Sequence, residues 1–290
     1  MGHQDSPNWV VFTDLDGTLL ELETYAYDHA QPAVELLKTR QIPLIFCSSK
    51  TRTEQEFYRH KLKVEDPFIV ENGSAVFIPE GYFDFSYPCH HSLPGYHIIE
   101  LGAPVAEIRR AVAELRSRLH LTCWGYADLS LAEICQLTGL DEAAAQRASQ
   151  REYSETLLKA DFSPEIFRQF RQALAQKGLD CVAGSKFYTI TGRGGNKGEA
   201  ARLLSGLFQR KWGNILTVGL GDGLNDEPLL AAVDYPFLVQ RPDGCWAELR
   251  LPGLEKVAGV GPAGWRSVIF DYLLLDGRCE KNSEGNLRRG

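Results

Sequence analysis

The sequence predicts an α/β chain: a doubly wound, mostly parallel sheet interrupted by an inserted α+β unit. Three observations carry this reading. Short apolar, β-prone runs alternate with amphipathic helical stretches near both ends of the chain. Two of those runs, "VVFTDLDG" and "VGLGDG", finish in carboxylates beside glycine. Between about Gly81 and Thr191 the alternation gives way to a different arrangement, in which long helices precede a strand pair.

The elements follow in order. "NWVVFTD" reads as a strand, "AQPAVELLKTR" as a helix, "IPLIFCSS" as a strand, "RTEQEFYRHKLK" as a helix and "PFIVENG" as a strand. The pattern resumes with the strand "NILTVGLGD", the helix "NDEPLLAAV", the strands "YPFLVQ" and "LEKVAGV", and a closing helix from "GPAGWRSVIFDYLLL". Residues 1–80 and 192–275 are therefore expected to form one discontinuous core. In such sheets ligands gather at the carboxyl ends of the strands, which is where Asp14, Ser48, Asn72 and Asp222 fall.

Residues 81–191 are expected to be the insert. "HIIELG" reads as a strand, and "PVAEIRRAVAELRSRL" carries Val105, Ile108, Val112, Leu115 and Leu119 at helical spacing. "PEIFRQFRQALAQKG" repeats the pattern with Ile166, Phe167, Phe170 and Leu174, ahead of the strands "LDCVAG" and "KFYTITG". The tail 276–290 has little to bury and is expected to be disordered.

Composition narrows the function. A chain of 290 residues, 44% hydrophobic, can bury a substantial core. A formal net charge of −7 argues against a general binder of nucleic acid or anionic membrane. No apolar run approaches the ~20 residues of a membrane span, and "MGHQDSPNWV" lacks the features of a secretory leader, so a cytoplasmic location is expected. The seven cysteines are odd in number and show no CxxC spacing, which suits reduced thiols. No pattern specifies an oligomeric state.

The acid-tipped strands raise the chemical question. Asp14 and Asp16 would share one face of an extended strand, at a cost in like-charge repulsion. Asp-Gly-Thr is also ordinary turn chemistry, and "NDEP" an ordinary helix start. Neither accounts for two strands delivering carboxylates to one sheet edge. A magnesium ion does, since it takes oxygen ligands, keeps waters and is usually completed by phosphate. Ser48, after its strand, and Lys197, opening a helix in "GGNKGEAA", supply donors for that phosphate.

The ordered set DxDGT, Ser, Lys and GDGxND resembles the haloacid dehalogenase superfamily of phosphatases. The resemblance implies a Rossmann-like core with an α+β cap between Ser48 and Lys197. It implies Asp14 as nucleophile, Asp16 as general acid and base, Ser48, Lys197 and Asn225 as phosphate binders, and Mg²⁺ held by Asp14, Asp222, Asp226 and the backbone carbonyl of Asp16. "FCSSKT", "ENG", "REYSE", "GSKFYTI" and "GLGDGLNDEPLL" are together similar to the mannosyl-3-phosphoglycerate phosphatase family, whose substrate is a small sugar phosphate. One departure stands out: Asn196 occupies a position where Asp commonly precedes the lysine.

Such a substrate carries a carboxylate close to its phosphate, so further cations are expected among Lys50, Arg52, Lys186 and Arg193. Asn72 and Gly73 are candidates for the core side of the cleft. Arg151, Glu152 and Glu155 are candidates for sugar hydroxyls, or form a solvated face of i,i+4 pairs. Two alternatives remain: a phosphatase for another sugar phosphate such as glucosyl-3-phosphoglycerate, and a non-catalytic sensor of a phosphorylated metabolite.

Overall fold

The structure, a computed structural model, describes residues 7–184 and 186–274. The chain starts with β1 (Asn8–Thr13), α1 (Gln31–Thr39), β2 (Leu44–Cys47), α2 (Arg52–Leu62), β3 (Phe68–Val70), β4 (Ala75–Pro79), β5 (His91–Leu93) and β6 (Tyr96–Glu100). It continues through α3 (Val105–Leu119), α4 (Leu131–Thr138), α5 (Glu142–Ser149), β7 (Ser154–Leu158), α6 (Pro164–Gln176), β8 (Leu179–Ala183) and β9 (Phe187–Gly192). It then returns with α7 (Lys197–Trp212), β10 (Ile215–Gly221), α8 (Glu227–Leu230), β11 (Tyr235–Gln240), β12 (Glu255–Val260) and α9 (Pro262–Val268).

A nine-stranded sheet has the order β12-β11-β10-β1-β2-β3-β4-β6-β5. The first six strands are parallel, and β4, β6 and β5 add antiparallel at one edge. The period-2 pleat divides the apolar run of β1 between two helix layers. Val10 and Phe12 pack with Ala200, Ala201, Leu204 and Phe208 of α7. Val11 packs on the opposite face with Val34 and Leu37 of α1 and Trp265 of α9. All of these are fully buried, and each large one contributes about 1.5–3 kcal/mol relative to exposure.

A second sheet, β7-β9-β8, is antiparallel and lies under α3 and α6, with Ile108, Leu115, Leu157, Phe170, Leu174 and Ile190 as its shared core. One strand expected in the insert joins the large sheet. β6, the expected strand "HIIELG", pairs with β4 from Ala75↔Glu100 to Pro79↔Tyr96, so residues up to Glu100 complete the large sheet. Sheet membership depends on a partner elsewhere in the chain, which the local apolar pattern cannot specify. The expected helix "NDEPLLAAV" shortens to a 3-10 turn at Leu224–Asp226 followed by the single turn of α8. The tail 276–290 lies outside the described residues. Among the described residues no helix is long and apolar enough to cross a membrane.

Candidate active site

β1 sits between β10 and β2, so its carboxyl end opens where the chain diverges to either side. Asp14 stands at that end. Its N–H donates to Leu220 O at 2.9 Å, and its carbonyl accepts from Thr13 Oγ1 at 2.6 Å, which in turn accepts from Trp265 Nε1 at 3.0 Å. The chain then turns sharply. Gly17 adopts φ +77°, and a Cβ there would lie 2.7 Å from Asp222 Oδ2, so glycine both makes the turn and admits the second strand's carboxylate.

Lys197 begins α7 and is 1% exposed. Its ammonium lies 2.6 Å from Asp14 Oδ1 and 2.6 Å from Asp226 Oδ1. Asn196 is the N-cap that positions it, since its Oδ1 accepts from Gly198 N–H at 2.9 Å and Glu199 N–H at 3.0 Å. That is the physical role of the residue at the departing position. Gly73, at φ +94°, packs directly on this segment, and a Cβ there would fall 2.1 Å from the Asn196 carbonyl carbon. Asp226 is fully committed: Oδ1 to Lys197, and Oδ2 to the N–H groups of Asp222 and Gly223, each at 3.0 Å. Thr18 Oγ1 donates to Asp222 Oδ1 at 3.3 Å.

Oxygens of Asp14, Asp222 and Asp226 lie within 4.8 Å of one another. Burial, followed by the charge of Asp226, pushes Asp14 up to about 8 against the pull of Lys197. Asp222 is pushed up to about 7, again by burial first and Asp226 second. Burial works against the Lys197 ammonium, yet Asp14 and Asp226 hold its pKa above the ordinary lysine range. Three carboxylates against one ammonium leave negative charge uncompensated, and the donors are all hard oxygens. The cluster therefore fits a divalent cation such as Mg²⁺.

Asp16 lies apart from that cluster. Its Oδ1 pairs with Lys50 Nζ at 2.9 Å, and Lys50 also approaches Glu54 Oε1 at 3.5 Å. The two aspartates thus have separate lysines. Ser48 is fully buried; its N–H donates to Ile69 O, its carbonyl accepts from Asn72 N–H at 2.9 Å, and its Oγ accepts from Lys50 N–H at 3.3 Å. Asn72 and exposed Asn225 line a cavity of about 280 Å³ beside Lys197, together with Thr191, Asp180 and Arg193.

The small sheet meets the core through Glu71, fully buried at the turn after β3. Its Oε1 accepts from Glu152 N–H at 2.8 Å, and its Oε2 accepts from Tyr153 N–H at 3.2 Å and from Ser154 Oγ. Arg151 Nη1 donates to Ser154 Oγ at 2.8 Å and lies 3.8 Å from Glu71 Oε2. Burial raises the Glu71 pKa, while Arg151, Ser154 and the two N–H groups oppose that rise.

Two expected substrate contacts sit elsewhere. Lys186 lies at the end of β9 remote from Thr191, exposed, with its ammonium donating to Leu137 O at 2.9 Å. Glu155 is 2% exposed and alternates with Ser154 and Thr156, so it points into the helix layer, where it pairs with Arg109 of α3. It is neither a cleft residue nor part of a solvated face. Arg52 bridges Glu56 and Glu152, and Arg193 is exposed at the cavity. Sequence reasoning missed Glu71, Arg109 and Thr156. The signal is weak: Glu71 follows the buried run Phe68–Val70, Thr156 lies between buried Glu155 and Leu157, and Arg109 follows buried Ile108 on an amphipathic helix.

Comparison with known proteins identifies the family. Residues 11–86 match the haloacid dehalogenase-like hydrolase family. The chain is 38% identical over 265 residues to a glucosyl-3-phosphoglycerate/mannosyl-3-phosphoglycerate phosphatase of Methanococcoides burtonii, covering 91% of this chain and 97% of the relative. It is 40% identical over 253 residues to a mannosyl-3-phosphoglycerate phosphatase of Pyrococcus furiosus, covering 87% and 96%. Among solved structures, a haloalkanoate-superfamily phosphatase of Bacteroides thetaiotaomicron superposes with a TM-score of 0.64 at 17% identity, over 92% of this chain and 96% of that one, a likeness of fold. The chain belongs to the mannosyl-3-phosphoglycerate phosphatase family of haloacid dehalogenase-like hydrolases.

Proposed function

We propose that this protein is a Mg²⁺-dependent phosphatase that hydrolyses mannosyl-3-phosphoglycerate to mannosylglycerate and phosphate. The observation that carries the reading is the pair of 2.6 Å contacts joining Lys197 to Asp14 and Asp226, with Asp222 in the same cluster. Glucosyl-3-phosphoglycerate is a second substrate on this reading, because relatives from Methanococcoides burtonii and Persephonella marina carry both names.

The residues divide the work. A divalent cation held by Asp14 and Asp222 would neutralise phosphate charge and keep both carboxylates ionised. Lys197 and the exposed amide of Asn225 hold the phosphoryl oxygens, with Ser48 on the other side. Asp14 forms a bond to phosphorus as the ester P–O bond breaks, giving an aspartyl phosphate. Asp16 gives its proton to the departing glycerate oxygen, then takes one from the water that attacks phosphorus and restores Asp14. Asp226, with both oxygens committed, fixes Lys197 and the Asp222 backbone. The small sheet covers the leaving group, and we place the reaction in the cytoplasm, where a compatible solute accumulates.

A phosphate-release assay over sugar phosphates, with Mg²⁺ and with chelator, tests this. The reading requires Mg²⁺-dependent release from mannosyl- or glucosyl-3-phosphoglycerate, with free phosphate appearing in the absence of any bisphosphate activator. Binding without turnover would favour a sensor.

A further inference from the structure

Lys50 takes no part in the Asp14–Lys197 cluster, yet it is 6% exposed. Its ammonium faces Asp16 Oδ1 at 2.9 Å, Glu54 Oε1 at 3.5 Å, the Tyr25 ring at 4.6 Å and the Tyr58 ring at 5.7 Å. The two anionic partners differ in freedom. Glu54 is fixed by the capping box of α2, where its Oε2 accepts from Thr51 N–H at 2.9 Å and Thr51 Oγ1 at 3.0 Å. The Asp16 side chain is 27% exposed and holds Lys50 through a single oxygen. Asp16 is the exchangeable partner.

Distance says what it exchanges for. An acid must come within about 2.6–3.2 Å of the oxygen it protonates, so with Lys50 on Asp16 Oδ1 an ester oxygen facing Asp16 lies within about 6–8 Å of Lys50 Nζ. In a 3-phosphoglycerate ester the carboxyl carbon is three bonds from that oxygen, inside the same sphere. A second cation faces the same side: Arg151 Nη1 is 3.4 Å from Ser49 O, and its guanidinium is 5.7 Å from the Tyr126 ring. Its buried Nε has no hydrogen-bond partner among the described residues, nor does Thr156 Oγ1 on the strand that follows. Buried donors without partners mark where a ligand's acceptors belong.

Resting on the phosphatase reading above, we propose that Lys50 is a specificity residue that trades Asp16 for the substrate's carboxylate. Before binding, Lys50 holds Asp16; a bound carboxylate takes over the ammonium, with Arg151 beside it, and releases Asp16 to the ester oxygen. An ester without a carboxylate leaves Asp16 engaged. Selection for acidic leaving groups then appears in kcat as well as in KM.

The test compares mannosyl-3-phosphoglycerate with the analogue in which a hydroxymethyl group replaces the carboxylate. Wild-type enzyme should turn over the analogue at least about tenfold more slowly in kcat, since a site built to bind a group rejects the compound lacking it. Lys50→Met should lose about a hundredfold in kcat/KM on the acid and gain in kcat on the analogue, because nothing then holds Asp16, while Lys50→Arg keeps the preference. Equal losses on both compounds, or an undiminished preference in Lys50→Met, overturns the proposal. Should Lys50→Met not fold, inhibition of the wild type and Lys50→Arg by mannosylglycerate and by its carboxamide decides: equal inhibition by the two overturns it. Wild-type enzyme inactive on both the mannosyl and the glucosyl acid overturns the phosphatase reading as well; turnover of either acid with equal losses overturns this inference alone.

Discussion

Withdrawing divalent cations should make the stability of this protein fall with rising pH. Asp14 and Asp222 are pushed up to about 8 and about 7, by burial and then by Asp226, because Lys197 alone opposes three carboxylates. In the unfolded chain both ionise near ~4. Between about pH 5 and 7 the folded, metal-free protein therefore retains one to two protons that the unfolded chain has released. The sign follows from that excess: the stabilisation is complete below the unfolded pKa and is lost as pH rises through the folded values. Each retained proton contributes a slope of about −1.4 kcal/mol per pH unit, so the pair gives about 1.4–2.7 kcal/mol per unit. Bound Mg²⁺ keeps both carboxylates ionised and removes this slope. Urea unfolding at about pH 5.5, 6.5 and 7.5, with chelator and with excess Mg²⁺, measures it. The gap between the two series should widen with pH by that amount. Parallel series would refute the reasoning, since every other titrating group is common to both.

Asp14→Asn should reduce turnover by about a thousandfold or more while the melting temperature holds, because it removes the nucleophile and keeps the shape. Asp222→Asn should raise the Mg²⁺ concentration needed for half-maximal activity; an unchanged requirement would remove Asp222 from the ligand set. Asn196→Ala should cost about 1 kcal/mol in urea unfolding and Asn196→Asp only a few tenths, and equal costs would argue against capping as the role of Asn196. Arg151→Ala should lower kcat/KM for the sugar substrate about ten- to hundredfold more than for a small aryl phosphate. Glu155→Ala should instead cost about 1–3 kcal/mol of stability with that ratio unmoved, and a shifted ratio at full stability would contradict its place against Arg109.

How much of this was legible in the sequence depends on where each residue's partners lie. Asp14, Ser48, Asp222 and Lys197 sit at the ends of elements whose apolar patterns are local, so their convergence on one sheet edge follows from strand order alone. Glu71 and Glu155 resist such reading because burial of each carboxylate depends on distant groups. Glu71 is satisfied by atoms of residues 151–154, and Glu155 by an arginine in α3. The strand 96–100 was visible, but its allegiance was decided by β4 across the sheet. Lys186 carried no local mark of whether its end of the strand faces the cleft.

The spacing of Asp14 and Asp16 finds a different resolution from the one the sequence suggested. A metal ion was the evident counterion for two neighbouring carboxylates, yet each has its own lysine, Lys197 at the start of α7 and Lys50 in the loop between β2 and α2. This separation matters chemically. In the proposed mechanism Asp14 must be ionised to attack, and it shares Lys197 with Asp226 inside a cluster that remains short of positive charge. The same mechanism has Asp16 move between donor and acceptor roles, and its partner Lys50 is anchored by Glu54 rather than by the metal cluster. A cation arriving at Asp14 and Asp222 can therefore change the charge state of the nucleophile without immobilising the acid. Had both aspartates shared one counterion, tightening the site for attack on phosphorus would have tied down the group that serves the leaving oxygen.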